Sequence, residues 1–255
     1  MCAGAVATPR TQMDVGQAVA AWEKIAQSFS ETRNRPWDQV VDFLETLPED
    51  ATLVDVACGN GRHGVIARKM GMRVIGVDAS LELADIARER LAEAGDKDAS
   101  QADAVGGSAM NLPLARNSVD HGLFIAALHN IPGREGRVQA LRELRRVLRP
   151  RGMALVSVWA RWQDRFADHY VKELLRHVPR KLRYGDEAPE FGDILIPWQG
   201  DEMRFYHLMS LRETILTCKQ AGLFIRDAWS EKLASQWLPD NHFVVVEKPQ
   251  NVDGA

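Results

Sequence analysis

The hydrophobic pattern at the start of the chain is helical. Apolar residues recur every three or four positions from Val15 to Phe29, which is the stripe of an amphipathic helix. Pro36 suits the first turn of a second helix, whose apolar positions run from Val40 to Leu47. We therefore predict an N-terminal helical segment over residues 14–48, preceded by a disordered tail over residues 1–13.

The pattern changes after residue 50, where short β-branched runs alternate with helical stripes. Strands are predicted at 52–56, 73–77, 119–127 and 154–159, with helices ending near 70, 94 and 148 between them. A closing antiparallel hairpin is predicted at 224–229 and 243–247. Two stretches break this rhythm, a polar loop insertion at 95–107 and a substrate-side insertion at about 161–209. The alternation indicates an α/β fold, a parallel sheet with helices on both faces.

Composition narrows the class of protein without choosing a function. The chain has 255 residues, of which 45% are hydrophobic and 26% charged, so we expect a single globular domain over 14–255. It has no apolar run of membrane-spanning length, and its start resembles neither a signal nor a transit peptide. Three scattered cysteines predict neither a disulfide framework nor a zinc knot, which favours a cytoplasmic location. The net charge of −3 does not exclude nucleic acid, because binding can use a local basic face.

A glycine-rich turn follows the first predicted strand, within the stretch Val54–Gly61. Glycines there let the main chain approach a ligand, and the following helix offers free N–H groups. Asp78 lies at the end of the next strand, where a carboxylate can accept hydrogen bonds from both ribose hydroxyls of an adenosine cofactor. This spacing alone does not separate NAD from other adenosine cofactors.

Several motifs together resemble the class I S-adenosylmethionine-dependent methyltransferases. They are Asp55-x-x-x-Gly59-x-Gly61, Gly76–Ser80, Asn111–Leu114, Asn117–Asp120 and Leu148–Gly152. The resemblance implies a Rossmann-like, seven-stranded mixed and mostly parallel sheet with S-adenosylmethionine as cofactor. The implied cofactor-binding residues are Asp55, Ala57, Gly59, Gly61, Asp78, Ser108 and Ala126. Asp55 and Gly59 would lie under the methionine moiety, Asp78 at the ribose, and Ser108 at the adenine, where these enzymes usually have an acidic residue.

A narrower resemblance covers the chain from about Ala21 to Lys248. The matching segments are Trp22–Trp37, Ala126–Ile131, Glu135–Arg137, Val158–Gln163, Ile196–Trp198 and Arg204–Leu208. They are similar to the eukaryotic-type tRNA carboxymethyluridine methyltransferases, which methylate a carboxymethyl group on the wobble uridine. Family members usually have His-His at His129-Asn130 and Arg-Arg at Gly136-Arg137. The resemblance also implies tRNA, through its anticodon loop, and a small zinc-binding activator protein as partners.

Esterification of a carboxymethyl group sets simple chemical requirements. The attacking carboxylate is already ionised near neutral pH, so a strong general base is unnecessary. A cation must orient the carboxylate, and the planar guanidinium of arginine matches it. Given the family resemblance, our candidate catalytic residues are Arg33, His129 and Arg204. Our candidate substrate-binding residues are Arg35, Trp159, Arg161, Trp198, Tyr206, His207, Arg176, Arg180 and Lys181, several of them in a locally basic stretch whose tryptophans could stack a base. No metal site is expected.

Two other functions stay open at this level. A small-molecule methyltransferase of the quinone or sterol type would share the cofactor motifs but not the segments typical of the tRNA enzymes. A non-catalytic tRNA-binding paralogue would be consistent with the residues Ser108, Asn130 and Gly136.

Overall fold

The computed structural model describes residues 6–9, 13–94, 102–199 and 202–250. The strands are β1 (Thr52–Val56), β2 (Arg73–Asp78), β3 (Ala102–Gly106), β4 (His121–Phe124), β5 (Met153–Trp159), β6 (Asp193–Trp198), β7 (Glu202–His207), β8 (Phe224–Glu231) and β9 (Asn241–Glu247). Seven of them form one sheet in the order β3-β2-β1-β4-β5-β9-β8. Its first five strands are parallel, and β9 runs antiparallel to both of its neighbours. The predicted mixed, mostly parallel sheet is confirmed.

Helices cover both faces of this sheet. The helices of the described residues are α1 (Val15–Thr32), α2 (Asp38–Glu45), α3 (Arg62–Lys69), α4 (Leu81–Glu93), α5 (Arg134–Val147), α6 (Ala167–Tyr184) and α7 (Leu211–Gln220), of which α1 and α6 lie away from the two faces. One core joins α5 and α7 to one face of the sheet, and a second joins α2, α3 and α4 to the other. Successive strand residues alternate between these cores, as Leu53 and Val54 do, because side chains on a strand point to opposite faces.

The sheet order reverses between β1 and β4, which fixes the place of the ligand crevice. The chain steps from β1 outward to β2 and β3, and then crosses back to β4 on the other side of β1. In open α/β sheets, ligands bind beyond the carboxyl ends of the strands at such a switch point. Here the loops after β1, β2, β4 and β5 meet at that edge.

A second, two-stranded sheet of β6 and β7 lies above this edge, and the sequence pattern did not predict β6. Its apolar residues Ile194, Ile196 and Tyr206 form a third core with Tyr170 of α6, and Trp22 of α1 packs against that core. The substrate-side insertion predicted at about 161–209 thus contains both strands of this second sheet. Pro197 ends the apolar part of β6, and this interruption masked the strand pattern.

Three other predictions from the sequence need correction. The expected loop at 95–107 contains the edge strand β3, whose small residues gave no apolar signal. The expected disordered tail is wrong for Ala7, which exchanges main-chain hydrogen bonds of 3.1 and 2.7 Å with Leu195. Residues 1–5 and 10–12 of that tail lie outside the described residues. The other predicted strand and helix positions are confirmed, with the strand at 119–127 shortened to His121–Phe124. Pro36 lies before Trp37, the N-cap of α2, and not in the first turn of that helix as predicted.

In the parts of the chain that the structure describes, no helix is long and apolar enough to cross a membrane.

Candidate active site

A pocket opens at the carboxyl edge of the sheet and begins at the turn after β1. The main chain there adopts positive φ angles, 53° at Ala57, 56° at Gly59 and 74° at Gly61. A Cβ on Gly61 would approach the main chain of Ala87 to 3.1 Å, so glycine lets α3 and α4 pack closely at this point. The turn exposes main-chain groups to the pocket, as the cofactor motif predicts.

Asp78 ends β2 and forms one wall of the pocket. Its carboxylate accepts hydrogen bonds from the main-chain N–H groups of Gly59, at 2.8 Å, and Ser80, at 2.9 Å. Burial nevertheless raises the pKa of Asp78 to about 6. Each carboxylate oxygen keeps acceptor capacity toward the pocket, which suits a pair of ribose hydroxyls.

Asp55, near the end of β1, lines the same pocket, and one of its carboxylate oxygens lacks a partner. Its Oδ2 atom is buried without a hydrogen bond. Burial, with Asp78 nearby as a second negative charge, raises the pKa of Asp55 to about 7. A buried acceptor without a donor is costly unless a ligand supplies one. The ammonium group of a methionine moiety would do so, and the site therefore fits S-adenosylmethionine.

The far end of the pocket is formed by the segments after β3 and β4. Ser108 lines it, and its Oγ accepts a hydrogen bond of 3.2 Å from the N–H of Met110. Ala126 has a φ of 52°, and its N–H donates to the Oγ of Ser157 at 2.9 Å. Both residues lie where the cofactor motifs predict them. The seven predicted cofactor-binding residues therefore all belong to the wall of this pocket or to the turn after β1.

Helix α1 covers the pocket from above. Trp22, Phe29 and Arg33 line the pocket from this helix, and the Asn60 side chain fastens the end of the helix to the cofactor turn. The Nδ2 of Asn60 donates to the main-chain carbonyl of Arg33 at 2.8 Å and to that of Ser30 at 3.2 Å. The predicted N-terminal helical segment thus forms a lid over the pocket.

Arg204 of β7 reaches the pocket from the second sheet and is enclosed by aromatic rings. Its guanidinium carbon lies 4.5 Å from the ring centroid of Trp198, 5.2 Å from that of Tyr206 and 5.4 Å from that of Trp22. Only 5% of the residue is exposed, and its Nε is buried without a hydrogen bond. Burial and the positive charges of Arg33 and Arg165 lower the pKa of Arg204. No carboxylate of the described residues forms a salt bridge with it.

Arg33 shares an aromatic neighbour with Arg204. Its guanidinium carbon lies 5.8 Å from the ring centroid of Trp198 and 5.8 Å from that of Phe29. Trp198 does not line the pocket itself but supports both arginines from behind, and its Nε1 donates to Ser28 at 2.8 Å. The pocket wall therefore carries two positive charges beside aromatic surface.

His129 lies behind the pocket wall instead of in the pocket. Its ring stacks on Tyr206 and also packs on Trp159, with centroids 5.3 and 5.6 Å away. Its Nδ1 accepts a hydrogen bond of 3.1 Å from the N–H of Trp159. Burial, aided by His207 and Arg204, lowers the pKa of His129 to about 3, so the ring is neutral. His129 positions Trp159 and Tyr206, which do line the pocket, and the prediction that it is catalytic finds no geometric support.

Several predicted substrate-binding residues lie away from the pocket. Arg35 is exposed and does not line it. Arg161 donates to the carbonyl of Leu208 at 3.0 Å and pairs with Glu213 at 2.5 Å, which is a structural role. On α6, Arg176 and Lys181 are exposed, and the side chain of Arg180 lies outside the described part.

His207 is buried in a charged cluster, again outside the pocket. Its Nδ1 lies 2.8 Å from Asp193 and its Nε2 2.7 Å from Glu213. Burial opposes a charged ring, but these two hydrogen bonds outweigh it and raise the pKa of His207. Ligand atoms of Glu190, Asp193 and His207 lie within 4.8 Å of one another, a grouping that could hold a metal ion. These residues already have partners in the protein: His207 bonds to Asp193, and Glu190 pairs with Arg137 at 2.7 Å.

The structure also brings residues to the pocket that the sequence did not single out. Arg62 lies over Trp37, 5.5 Å from its ring centroid, and both line the pocket near Asp55. Burial and Arg33 lower the pKa of Arg62 to about 10. Its charge could hold the carboxylate of a methionine moiety beside the ammonium at Asp55. In the sequence, the only sign of a role for Arg62 is that it directly follows the glycine-rich turn. Asn130, which the sequence analysis noted only as a departure from the family pattern, also lines the pocket and donates to the carbonyl of Phe205 at 3.2 Å.

The sheet order, the turn after β1 and the paired carboxylates define a class I S-adenosylmethionine-dependent methyltransferase. A family profile described as "Methyltransferase domain" matches residues 54–156. Among solved structures, a methyltransferase from Methanosarcina mazei has a TM-score of 0.68 at 20% identity, over 85% of this chain and 100% of that one. A Haloferax volcanii methyltransferase, solved in complex with the Trm112 methyltransferase activator, has a TM-score of 0.58 at 19% identity, over 91% of this chain and 97% of that one.

Curated relatives identify the family more narrowly. The tRNA (carboxymethyluridine(34)-5-O)-methyltransferase of Schizosaccharomyces pombe is 30% identical over 237 residues, 89% of this chain and 94% of that protein. The mouse protein of that name, ALKBH8, is 40% identical over 143 residues, 56% of this chain. This chain covers 20% of the length of that mouse relative. The chain belongs to the tRNA (carboxymethyluridine(34)-5-O)-methyltransferase family, and its cofactor is S-adenosylmethionine.

Proposed function

We propose that this protein esterifies the carboxymethyl group of a carboxymethylated wobble uridine in tRNA. The observation that carries this proposal is Arg204, a buried guanidinium in the pocket wall with no carboxylate partner among the described residues. A buried charge of this kind is costly when unpaired. A substrate carboxylate would pair with it, and the planar guanidinium matches that group with two parallel hydrogen bonds.

Arg33 strengthens the preference for an anionic substrate. It adds a second positive charge to the same wall, and this charge helps to lower the pKa of Arg204, which a substrate anion at this wall would offset. The surrounding rings of Trp22, Phe29 and Tyr206 exclude water, which strengthens the attraction to a carboxylate. Both features favour a carboxylate over a neutral hydroxyl as the group that receives the methyl.

The reaction needs orientation more than proton transfer. When bound, S-adenosylmethionine supplies a methyl group made electrophilic by its sulfonium. Arg204 and Arg33 would hold one carboxylate oxygen in line with that methyl, and the aromatic wall would strip water from it. His63 lines the pocket, but burial keeps its pKa well below the ordinary value, so it is a weak base. The reaction needs no base, because the substrate carboxylate is already ionised.

The two alternative functions fit the pocket less well. A quinone or sterol would leave both arginines of the wall unpaired. The non-catalytic alternative rests on Ser108, Asn130 and Gly136. Ser108 and Asn130 still line the pocket, whereas Gly136 does not, and a Cβ there would approach Ile131 to 3.0 Å. None of these three residues alters Arg33 or Arg204, so the arginine wall is intact.

Two partners belong to the proposal. Relatives are named for methylation of position 34 of tRNA, and this chain would reach that nucleotide in the anticodon loop. One structural neighbour was solved with the Trm112 activator, and a small zinc-binding activator of that kind is the second partner we propose. A cytoplasmic location fits both.

The test is mass spectrometry of nucleosides from tRNA incubated with the protein and S-adenosylmethionine. The tRNA comes from cells that accumulate the free carboxymethyl group, and matched tRNA without that group is the control. We expect the methyl ester at position 34 only in the first tRNA, with or without an added activator. Methylation of both tRNAs, or of neither under any condition, would overturn the proposal.

A further inference from the structure

The loop between β8 and β9 lies beside the pocket. Asn241, the first residue of β9, pairs with Trp159, the last residue of β5, so the loop 232–240 reaches the carboxyl edge of the sheet. The carbonyl of Asp240 accepts a hydrogen bond of 2.9 Å from the N–H of Ala160. Because Trp159 lines the pocket, the loop touches the chain immediately after the pocket wall.

Two carboxylates hold this loop in one conformation. Asp240 accepts hydrogen bonds of 2.7–2.8 Å from the N–H groups of the three residues 233–235. Asp164, from the segment after β5, accepts hydrogen bonds of 2.7–2.8 Å from the N–H groups of the three residues 236–238. The pKa of each carboxylate is lowered, and for Asp164 the largest cause is the bond from the N–H of Trp237. Both therefore stay ionised at neutral pH, and six consecutive main-chain groups are fixed.

This fixed loop presents Trp237 to solvent. The residue is 76% exposed, although tryptophan carries a large apolar surface that usually packs. Its main chain is anchored at both sides while its ring has no ring neighbour among the described residues. An exposed indole on an ordered loop is a ready surface for another flat ring.

Positive charge accompanies the residues that anchor this loop. Arg165 is exposed, follows the anchoring Asp164 directly, and is close enough to act on the pKa values of Arg204 and Tyr206 in the pocket. Lys232 begins the loop and acts on Asp164 from the other side. A ligand extending from Arg204 toward Trp237 would thus pass cationic side chains, which suits the phosphates of a nucleic acid.

We propose that Trp237 stacks on an unpaired nucleobase next to the target uridine, while Arg165 and Lys232 contact the adjoining phosphates. This inference rests on the proposed function, because it assigns the platform to the RNA whose uridine enters the pocket. An unpaired base is recognised by stacking on an aromatic ring, and stacking is tolerant of sequence. The occupant is therefore single-stranded RNA continuous with the substrate.

The experiment measures methyl transfer to an anticodon stem-loop RNA that carries carboxymethyluridine, with Trp237→Ala and Trp237→Phe. We expect Trp237→Ala to raise KM for the RNA about tenfold or more, the scale of one base stacked on an aromatic ring. The kcat and the Kd for S-adenosylmethionine should stay near wild type, and Trp237→Phe should recover most of the loss because it keeps a flat ring.

The matched control is Phe224→Ala. Phe224 is 54% exposed and begins β8, at the opposite edge of the sheet from the loop. Its removal deletes an exposed ring without touching the pocket edge, so KM for the RNA should not change. A wild-type KM in Trp237→Ala would overturn the proposal. An equal loss in Trp237→Ala and Phe224→Ala, or a loss of cofactor affinity with it, would overturn it as well.

A binding measurement separates this inference from the proposed function. The stem-loop RNA should quench tryptophan fluorescence in the wild type more than in Trp237→Phe, whether or not methyl transfer occurs. Quenching at Trp237 without any transfer would retain the platform and reject the proposed reaction. Transfer without a contribution from Trp237 would retain the reaction and reject the platform. If Trp237→Ala binds RNA normally but no longer binds an activator protein, the surface belongs to a protein and the proposal is wrong.

Discussion

The side-chain amide of Asn60 donates a hydrogen bond of 2.8 Å to the main-chain carbonyl of Arg33. Asn60 belongs to the cofactor turn, and Arg33 ends the lid helix α1. One buried side chain therefore joins the part of the pocket that holds the cofactor to the part that would hold the substrate. We therefore expect binding in either half to stabilise the same contact and so to couple the two halves energetically.

The Asn60 contact predicts a coupled loss. Asn60→Ala removes both hydrogen bonds from this side chain to the end of α1, a cost of about 1–3 kcal/mol. KM should rise for both S-adenosylmethionine and tRNA, because the lid closes less often. Steady-state kinetics with each ligand varied in turn measures this. The control is Asn34→Ala, an exposed asparagine in the following turn. A change in only one of the two KM values would contradict the coupling.

Arg204 should carry most of the recognition of the carboxylate. Arg204→Ala removes a charge-assisted pair of about 1.5–3 kcal/mol, so kcat/KM for carboxymethylated tRNA should fall about 10²-fold. Arg204→Lys should recover only part, because an ammonium lacks the planar pair of donors. Affinity for S-adenosylmethionine, measured by calorimetry, should stay within about twofold. Wild-type turnover by Arg204→Ala would remove the main support for the proposed reaction.

Arg33 and Arg35 form an internal comparison, since they lie two residues apart on the same segment. Arg33 lines the pocket beside Trp198, whereas Arg35 is exposed and outside it. Arg33→Ala should lower kcat/KM for the carboxymethylated tRNA about tenfold or more. Arg35→Ala should leave it near wild type. The same methyl-transfer assay tests both variants, and an equal effect of the two would mean that this segment contributes general charge instead of a specific contact.

The cofactor half of the site was predictable from sequence because its residues are close together in the chain. Asp55 lies near the end of β1, Gly59 and Gly61 belong to the turn that follows it, and Asp78 ends the very next strand. Parallel strands bring such positions together by topology alone. The motifs therefore located residues whose relative placement depends on two adjacent strands.

The substrate half was less predictable, because its walls come from α1, β5 and β7, which are far apart in the chain. Arg204 and His129 look equivalent as candidates in the sequence. Only the packing of Tyr206 between the pocket and His129 separates an arginine in the wall from a histidine behind it. Likewise, Arg161 looked like a substrate contact until its pairing with Glu213 became visible. Residue type and spacing do not reveal which side of a wall a side chain occupies.

The substitution Asp55→Asn should have opposite effects on the stability of the protein and on its affinity for S-adenosylmethionine. Burial raises the pKa of Asp55 from 3.8 to about 7 in the ligand-free protein. The folded state thus holds the proton more tightly than the unfolded state, so this group lowers stability as the pH rises from about 4 to 7 and keeps it low above that. Asp55→Asn has no charge to bury, so its gain in Tm over wild type should grow between pH 5 and pH 8.

Cofactor binding should respond in the other direction, because the ionised carboxylate is the form that accepts from an ammonium group. Wild-type affinity for S-adenosylmethionine should fall as the pH drops below about 7, where Asp55 takes up its proton. Asp55→Asn should bind more weakly at pH 8 and show a shallower dependence, leaving the contribution of Asp78 near pH 6. Calorimetry and thermal unfolding at pH 5, 6, 7 and 8 measure both effects on the same preparations. If Asp55→Asn instead lowers the Tm at pH 8 while binding the cofactor normally, Asp55 is a structural carboxylate with a partner, and its assignment to the methionine moiety is wrong.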